Sequence, residues 1–340
     1  MMSPSSIRYV IAGQLKRDFG LIPNGKVLVD VQGGNLGYAA TGFGVWEPTN
    51  LIGLVARVGE DYPREWLSDI RKRGYDIQGI RILPEAIDLR SFYVYTDLYT
   101  RLNEDPAAHF THLQQPFPKA LLNYQRPSTS YDSRSHLNPT SIRQTDLPAD
   151  YLDATAAHLC PIDYLTHMLL PAVLRQNGFT IVTLDPSAGT MTPTFWDDIP
   201  ALVTGLTAFI PNEEEMRRLF HGRSTDLWQM METIADYGCE IVIVKRGERG
   251  QFLYDRASKV KWEIPAYPAR VVDPTGAGDS YCGGFLSGYR QTYEPLQAAL
   301  YGSISASLTI EGSGVFYALD ALPGLAQWRL EALREGIRKV

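Results

Sequence analysis

Residues 271–280 read Val-Val-Asp-Pro-Thr-Gly-Ala-Gly-Asp-Ser, and their types and spacing suit the handling of a phosphate. Val271 and Val272 are expected to end a strand, which Asp273-Pro274 breaks because proline fixes φ and lacks a donor. Gly276-Ala277-Gly278 makes a turn of small residues. Tyr281, Phe285, Leu286 and Tyr289 then form an apolar stripe at helical spacing, so Asp279 falls in the first turn of a helix. That turn carries unpaired N–H groups and the positive end of the helix dipole, and glycines let an anion approach it without a Cβ in the way. The same field is expected to keep Asp279 ionised, ready to accept the proton of a hydroxyl that attacks the bound phosphate. Phosphoryl transfer asks a protein mainly for positioning and charge stabilisation. A capped helix after a tight turn leaves the same short signature. Gly283, Gly284 and Gly288 within the helix, at ~1 kcal/mol each relative to alanine, argue for very close packing against a neighbour or a ligand.

The elements that would carry this run are legible on both sides of it. Arg8–Gly13, Leu51–Val58, Phe179–Leu184 and Ile241–Val244 read as buried strands, and the last three alternate with helical stretches. Such alternation predicts a parallel sheet with helices on both faces. Tyr151–Ala157 reads as helix-like, and a helix runs through Leu174. Ala298–Ile310 reads as a helix of small residues ended by Gly312-Ser313-Gly314. Leu89–Tyr99 alternates, with Phe92, Val94, Thr96 and Leu98 on one face and Ser91, Tyr93, Tyr95 and Asp97 on the other, which predicts a half-exposed strand. Residues 120–148 read as an irregular polar insertion in which Arg126, Arg134 and His136 sit on a surface loop. Gly20–Lys26 mimics a Walker phosphate loop, but Val27 replaces the hydroxyl residue that would hold Mg²⁺ and Pro23 removes a donor, so that reading is rejected.

Asp273-Pro274-Thr275-Gly276-Ala277-Gly278-Asp279 resembles the D-T-x-G-A-G-D signature of the ribokinase-like (PfkB) carbohydrate kinases, with proline at a position where threonine is usual. The resemblance implies one α/β domain over 1–340, with a central mostly parallel sheet flanked by helices and a small β lid from segments 14–32 and 86–115. It implies Asp279 as catalytic base and Gly276, Ala277 and Gly278 as anion hole. Gly13 and Asp18 have the spacing of the family's strand-end glycine and its sugar-holding aspartate. Gly33, Gly34 and Ala40 match G-G-x-x-x-N-x-A, where Tyr38 replaces the asparagine. A ring at Tyr38 can stack on a sugar or base but cannot make the same paired hydrogen bonds, and Asn35 is the nearest side chain able to compensate. Asn212 and Glu215 match N-x-x-E, which implies Asn212 near the phosphates and Glu215 ordering the waters of Mg²⁺. Lys245, Gly247 and Gly250 match the strand and G-x-x-G turn that carry nucleotide phosphates; Lys245 stands where a hydroxyl is common and either meets phosphate or points to solvent. Gly312 falls in the loop that walls the adenine pocket. Asp273 and the Thr275 carbonyl are the candidates for a K⁺ ion.

Composition sets limits. A net charge of −6 argues against a general nucleic-acid surface, and the Arg71-Lys72-Arg73 run reads as a solvated helix end rather than a binding patch. Three scattered cysteines among 340 residues suit a reducing cytoplasm and offer no zinc spacing. Apolar runs are too short to cross a membrane. His109 and His112 lack a third partner for a metal. The activity expected is ATP-dependent phosphorylation of a sugar hydroxyl; the alternatives are a nucleoside kinase of the same fold and an inactive nucleotide-binding sensor. Gly42-Phe43-Gly44 lacks the third glycine of a dinucleotide fold. A homodimer through the lid is the expected assembly.

Overall fold

The computed structural model describes residues 7–126 and 133–340. Its strands are β1 (Tyr9–Ala12), β2 (Lys16–Leu21), β3 (Val27–Gly33), β4 (Ile52–Val58), β5 (Asp76–Ile82), β6 (Arg90–Tyr95), β7 (Arg101–Leu102), β8 (Ala156–Leu159), β9 (Ile181–Leu184), β10 (Ala208–Phe209), β11 (Ile241–Lys245), β12 (Gln251–Asp255), β13 (Val260–Ile264) and β14 (Arg338–Lys339). Ten of them make one sheet in the order β14-β13-β12-β11-β10-β9-β8-β1-β4-β5. Every pairing from β5 to β11 is parallel, and β12–β14 extend the edge antiparallel. The central strands are continuous apolar runs because both faces are covered. Along β1, Val10 and Ala12 enter one core while Tyr9 and Ile11 enter the other, the two-residue period of a strand.

Three helices stack on the face toward Tyr9 and Ile11: Asn35–Gly44, Ala277–Thr292 and Pro295–Thr309. The glycines decide how near they come. A Cβ on Gly283 would lie 1.8 Å from the Ala39 carbonyl oxygen, and one on Gly42 would lie 1.9 Å from that of Ser280. The close packing expected from glycines inside a helix is therefore backbone against backbone.

The remaining strands form a second sheet, β3-β2-β6-β7. The turn between β2 and β3 contains the Walker-like run, which is a hairpin with Ile22 N–H donating to the Lys26 carbonyl. A strand precedes it, but a second strand rather than a helix follows, so no helix N-terminus receives a phosphate there. The half-exposed strand expected at Leu89–Tyr99 is shorter and buried on both faces. Phe92 and Val94 pack with Phe19, Phe110 and Leu121, while Tyr93 and Tyr95 pack with Ile22 and Leu28. The helix Pro106–His112 supplies the cover that the alternating pattern could not foretell.

Three more expectations need correction. No strand reaches Val272; β13 ends at Ile264, and Pro265 and Pro268 deny the next stretch a ladder. Tyr151–Ala157 divides into a short 3-10 turn, Ala149–Asp153, and the start of β8, since Ala156 and Ala157 join the sheet. The polar insertion is not all surface. Ile142 and Leu147 enter the core, and Arg57 of β4 pairs with Asp146 at 3.5 Å in a buried contact. Arg134 bonds Asp198 at 2.8 Å and covers the Phe195 ring, Arg126 meets Glu104, and His136 meets Ser135. Part of the insertion, residues 127–132, lies outside the described residues.

Gly283→Ala is expected to lower stability by about 1–3 kcal/mol, the usual range for overpacking, read as a lower urea midpoint. An unchanged midpoint would mean that the helices separate without strain.

Candidate active site

Asp273 anchors the glycine loop. Its carboxylate accepts from Thr275 N–H at 3.0 Å and from the Ser313 hydroxyl at 2.8 Å, and Val272 N–H donates to the Ile310 carbonyl at 2.7 Å. Thr275 Oγ1 donates to the Tyr95 hydroxyl at 3.3 Å, which joins the loop to the small sheet. Gly276 has φ 77°, and a Cβ there would sit 2.1 Å from the Tyr38 ring. Both facts call for glycine. Ala277 N–H closes the turn onto the Pro274 carbonyl at 3.3 Å. Gly278 and Asp279 then follow at the helix end whose amides have no intrahelical acceptor.

The helix dipole was expected to hold Asp279 ionised, but burial outweighs it. Asp279 keeps partial access to solvent, yet desolvation first and the charge of Asp185 next push its pKa from 3.8 to about 7, against Lys245 and Arg101. Lys245 neither points to solvent nor stands free. Its Nζ is paired with Asp185 Oδ2 at 2.5 Å, and it would lie 3.4 Å from a Cβ on Gly278. Burial works against the ammonium, but Asp185 overcomes it and raises the lysine pKa. A fixed cation thus borders the glycine turn, four residues of chain carrying both the turn and the carboxyl.

Asn212 and Glu215 form a reciprocal cap: Asn212 Oδ1 accepts from Glu215 N–H at 2.8 Å, and Glu215 Oε2 accepts from Asn212 N–H at 2.9 Å. Burial, then Asp185, raises the Glu215 pKa to about 7. Glu213 is more than an acidic helix start, since it bonds Arg217, Arg246 and Arg249 and so braces the turn after β11. In that turn Gly247 and Gly250 have φ 57° and 78°. Gly312 lies against the Tyr317 ring, 2.2 Å from where a Cβ would stand.

Asp18 is 5% exposed, and its carboxylate fills the space where a Gly33 side chain would be, 2.0 Å from the Cβ position. Desolvation raises its pKa to about 7, opposed by Arg101 and Lys16. Gly34 has φ 99° and precedes the helix Asn35–Gly44. Tyr38 is also 5% exposed, with its ring against Gly276, so the open stacking platform expected there is instead a support for the loop. Asn35 does not compensate, because its amide is committed to Gln14 N–H at 2.7 Å and to the Pro161 carbonyl at 2.6 Å. The structure brings Asp18, Tyr38, Asp273 and Asp279 within electrostatic reach of one another. It places Asp185, Asn212 and Lys245 where β9, β10 and β11 finish, the carboxyl edge at which open parallel sheets bind ligands. Sequence reasoning missed Asp185 and Arg101 as site residues. For Asp185 the signal was a carboxylate directly after a buried strand; for Arg101, on a two-residue strand, there was none.

An anion-receiving turn, a carboxyl that titrates near neutrality and a fixed ammonium can together bind a phosphate and take a proton from an alcohol. The chain belongs to the pfkB family of carbohydrate kinases, whose description, pfkB family carbohydrate kinase, matches residues 88–322. It is similar to the cytidine kinase of Thermococcus kodakarensis, 26% identical over 82% of this chain and 87% of that one. It is also similar to the 5-dehydro-2-deoxygluconokinase of Geobacillus kaustophilus, 33% identical over 64% of this chain and 65% of that one. Among solved structures, an apo putative ribokinase II from E. coli superposes with TM-score 0.67 at 17% identity, covering 96% of this chain and 99% of that one. A Burkholderia thailandensis nucleoside kinase in complex with inosine gives 0.66 at 20%, covering 96% and 98%. These two show the ribokinase-like fold. Among the described residues no helix is long and apolar enough to cross a membrane.

The raised proton affinity of Asp279 has a consequence for stability. Its folded pKa of about 7 exceeds its ordinary 3.8, so its contribution is full below the ordinary value and lost as pH rises through about 7. Asp279→Asn carries no charge to bury. The variant should melt above the wild type at about pH 8, with the gap narrowing toward about pH 5; a gap that stays constant across the range would contradict the assignment.

Proposed function

We propose that this protein transfers the γ-phosphoryl group of ATP to a hydroxyl of a polyhydroxylated ring, a sugar either free or as part of a nucleoside. The observation that carries the reading is Asp279: a carboxyl in the first turn of a helix, behind a left-handed glycine, titrating near neutrality beside Lys245. In this reading the acceptor hydroxyl lies between Asp279 and the terminal phosphate. Asp279 Oδ takes its proton as the oxygen attacks. The amides of the Gly276–Gly278 turn and the Lys245 ammonium meet the charge that gathers on the transferred group. Asp18 accepts hydrogen bonds from the other hydroxyls of the ring, as a carboxylate does with a diol. Asn212, Gly247, Gly250 and Gly312 border the nucleotide. The donor assignment is supported by the structural similarity to an E. coli putative ribokinase II in complex with ATP and Mg²⁺.

Glu215 would hold Mg²⁺ through water. The fit is electrostatic, since burial and then Asp185 raise the Glu215 pKa, and a cation would relieve the repulsion between the two carboxylates. When bound, the ion neutralises phosphate charge. Asp273 and the Thr275 carbonyl are the proposed holders of K⁺. Each Asp273 oxygen already accepts one hydrogen bond and keeps a further lone pair. A turnover rate indifferent to K⁺ would remove that ion from the scheme.

The nucleoside reading is favoured by one specific observation, the similarity to a cytidine kinase across 82% of this chain. Ribose, fructose, cytidine and inosine, scored by ADP release, would separate the two acceptor classes. Nucleotide binding without ADP release from any of them would point to an inactive sensor. With an active acceptor in hand, Asp279→Asn should lower kcat by ~10²–10⁴-fold, the range for a lost general base, with nucleotide affinity retained. Near-normal turnover would exclude Asp279 as the base.

A further inference from the structure

The small sheet turns one face toward the glycine loop, and the strand register says which residues share it. Asp18 of β2 stands opposite Ser91 of β6, and Gly20 opposite Tyr93. Side chains alternate along a strand, so Ser91, Tyr93 and Tyr95 share the face of Asp18. Tyr95 faces the loop, because its hydroxyl receives the Thr275 hydrogen bond. Arg101 of β7 is directly opposite Tyr95 and therefore belongs to the same face. Its guanidinium lies 4.3 Å from the centre of the Tyr93 ring, and its Nε donates to Asn103 Oδ1 at 3.2 Å. With the Tyr93 ring, Asn103 and the Tyr95 hydroxyl as neighbours, the planar fork of five N–H groups still keeps donors to offer. Its charge lowers the proton affinity of Asp18 and of Asp279, which come from separate parts of the fold, so Arg101 lies within reach of both carboxylates.

We propose that Arg101 is an acceptor-binding residue, whose guanidinium, resting on Tyr93 on the sheet face that Asp18 shares, donates paired hydrogen bonds to neighbouring oxygens of the acceptor. This rests on the kinase reading above. The ligand class follows from donor geometry, since a planar fork matches two adjacent oxygens such as vicinal hydroxyls or a carboxylate, whereas a lysine is a point charge. Arg101 thus complements Asp18: one donates to the ring's oxygens and the other accepts from its hydroxyls.

The test compares KM for the acceptor with KM for ATP in the wild type, Arg101→Met and Arg101→Lys. The acceptor is whichever of ribose, fructose, cytidine and inosine the wild type turns over fastest. Arg101→Met should raise the acceptor KM ~10-fold or more, as loss of a charged hydrogen bond does, with the ATP KM unchanged. Arg101→Lys should recover only part of the loss, because it restores charge without the fork. An acceptor KM that stays at the wild-type value in Arg101→Met, or a rise shared equally by both substrates, overturns the assignment and leaves the kinase reading intact. A wild type that turns over none of the four acceptors sinks the kinase reading and this assignment with it.

Discussion

The position of Asp279 is set by a contact that contains no side chain. Gly283 meets the Ala39 carbonyl, and Gly42 meets that of Ser280, so helices 277–292 and 35–44 touch backbone to backbone. Two helices that close have little freedom to slide, because a shift along either axis brings a Cβ where only hydrogen fits. Gly284 against Tyr301 and Ser305 repeats the arrangement toward helix 295–309. Glycines inside a helix cost local stability of ~1 kcal/mol each; here they hold the first turn of 277–292 at a fixed place above the sheet. The residues at that turn, rather than those lower in the helix, are where chemistry is affordable.

The second constraint is charge. Asp18, Asp185, Asp273, Asp279 and Glu215 converge where water is scarce, and the cations acting among them include Lys245, Arg101, Lys16 and Arg218. Burying ions is costly unless geometry compensates. The compensation is uneven. Asp273 has its hydrogen bonds and Asp185 its pairing with Lys245, yet burial still raises the proton affinity of Asp185, and Asp18, Glu215 and Asp279 are left with pKa values raised to about 7. Carboxyls shifted by burial and by named neighbours, within one cluster, are a mark of functional sites. The same imbalance makes the site receptive to an added cation.

Much of this was legible in the sequence because it depends on local chemistry. The glycine turn, the helix behind it and Asp279 in its first turn all follow from residues adjacent in the chain. So do the parallel strands, since continuous apolar runs such as Ile241–Val244 report two covered faces. Tertiary neighbours explain what was not legible. The apolar alternation at Leu89–Tyr99 could not reveal that the helix Pro106–His112 would cover the outer face. Of the helix-like stretch Tyr151–Ala157, only Ala156 and Ala157 became strand, because β1 and β9 flank them. The ionisation of Asp279 was misjudged because a dipole is a property of its own helix, whereas desolvation comes from every element around it. Tyr38 was read as a ligand platform, yet the ring is occupied by a glycine far along the chain.

The small sheet is tied to the rest of the molecule at two points. Tyr95 meets Thr275 beside the glycine turn, and the Tyr99 hydroxyl meets Glu248 in the turn after β11. The first tie is buried and the second is exposed, so the second is the weaker, because water competes for both partners. Asp18 and Arg101 ride on that sheet, and their charges act on Asp279 in opposite senses, Asp18 raising its proton affinity and Arg101 lowering it. Moving the sheet as a body would shift both charges relative to Asp279, whereas a change confined to β7, which is held by two residue pairs with β6, would shift Arg101 alone.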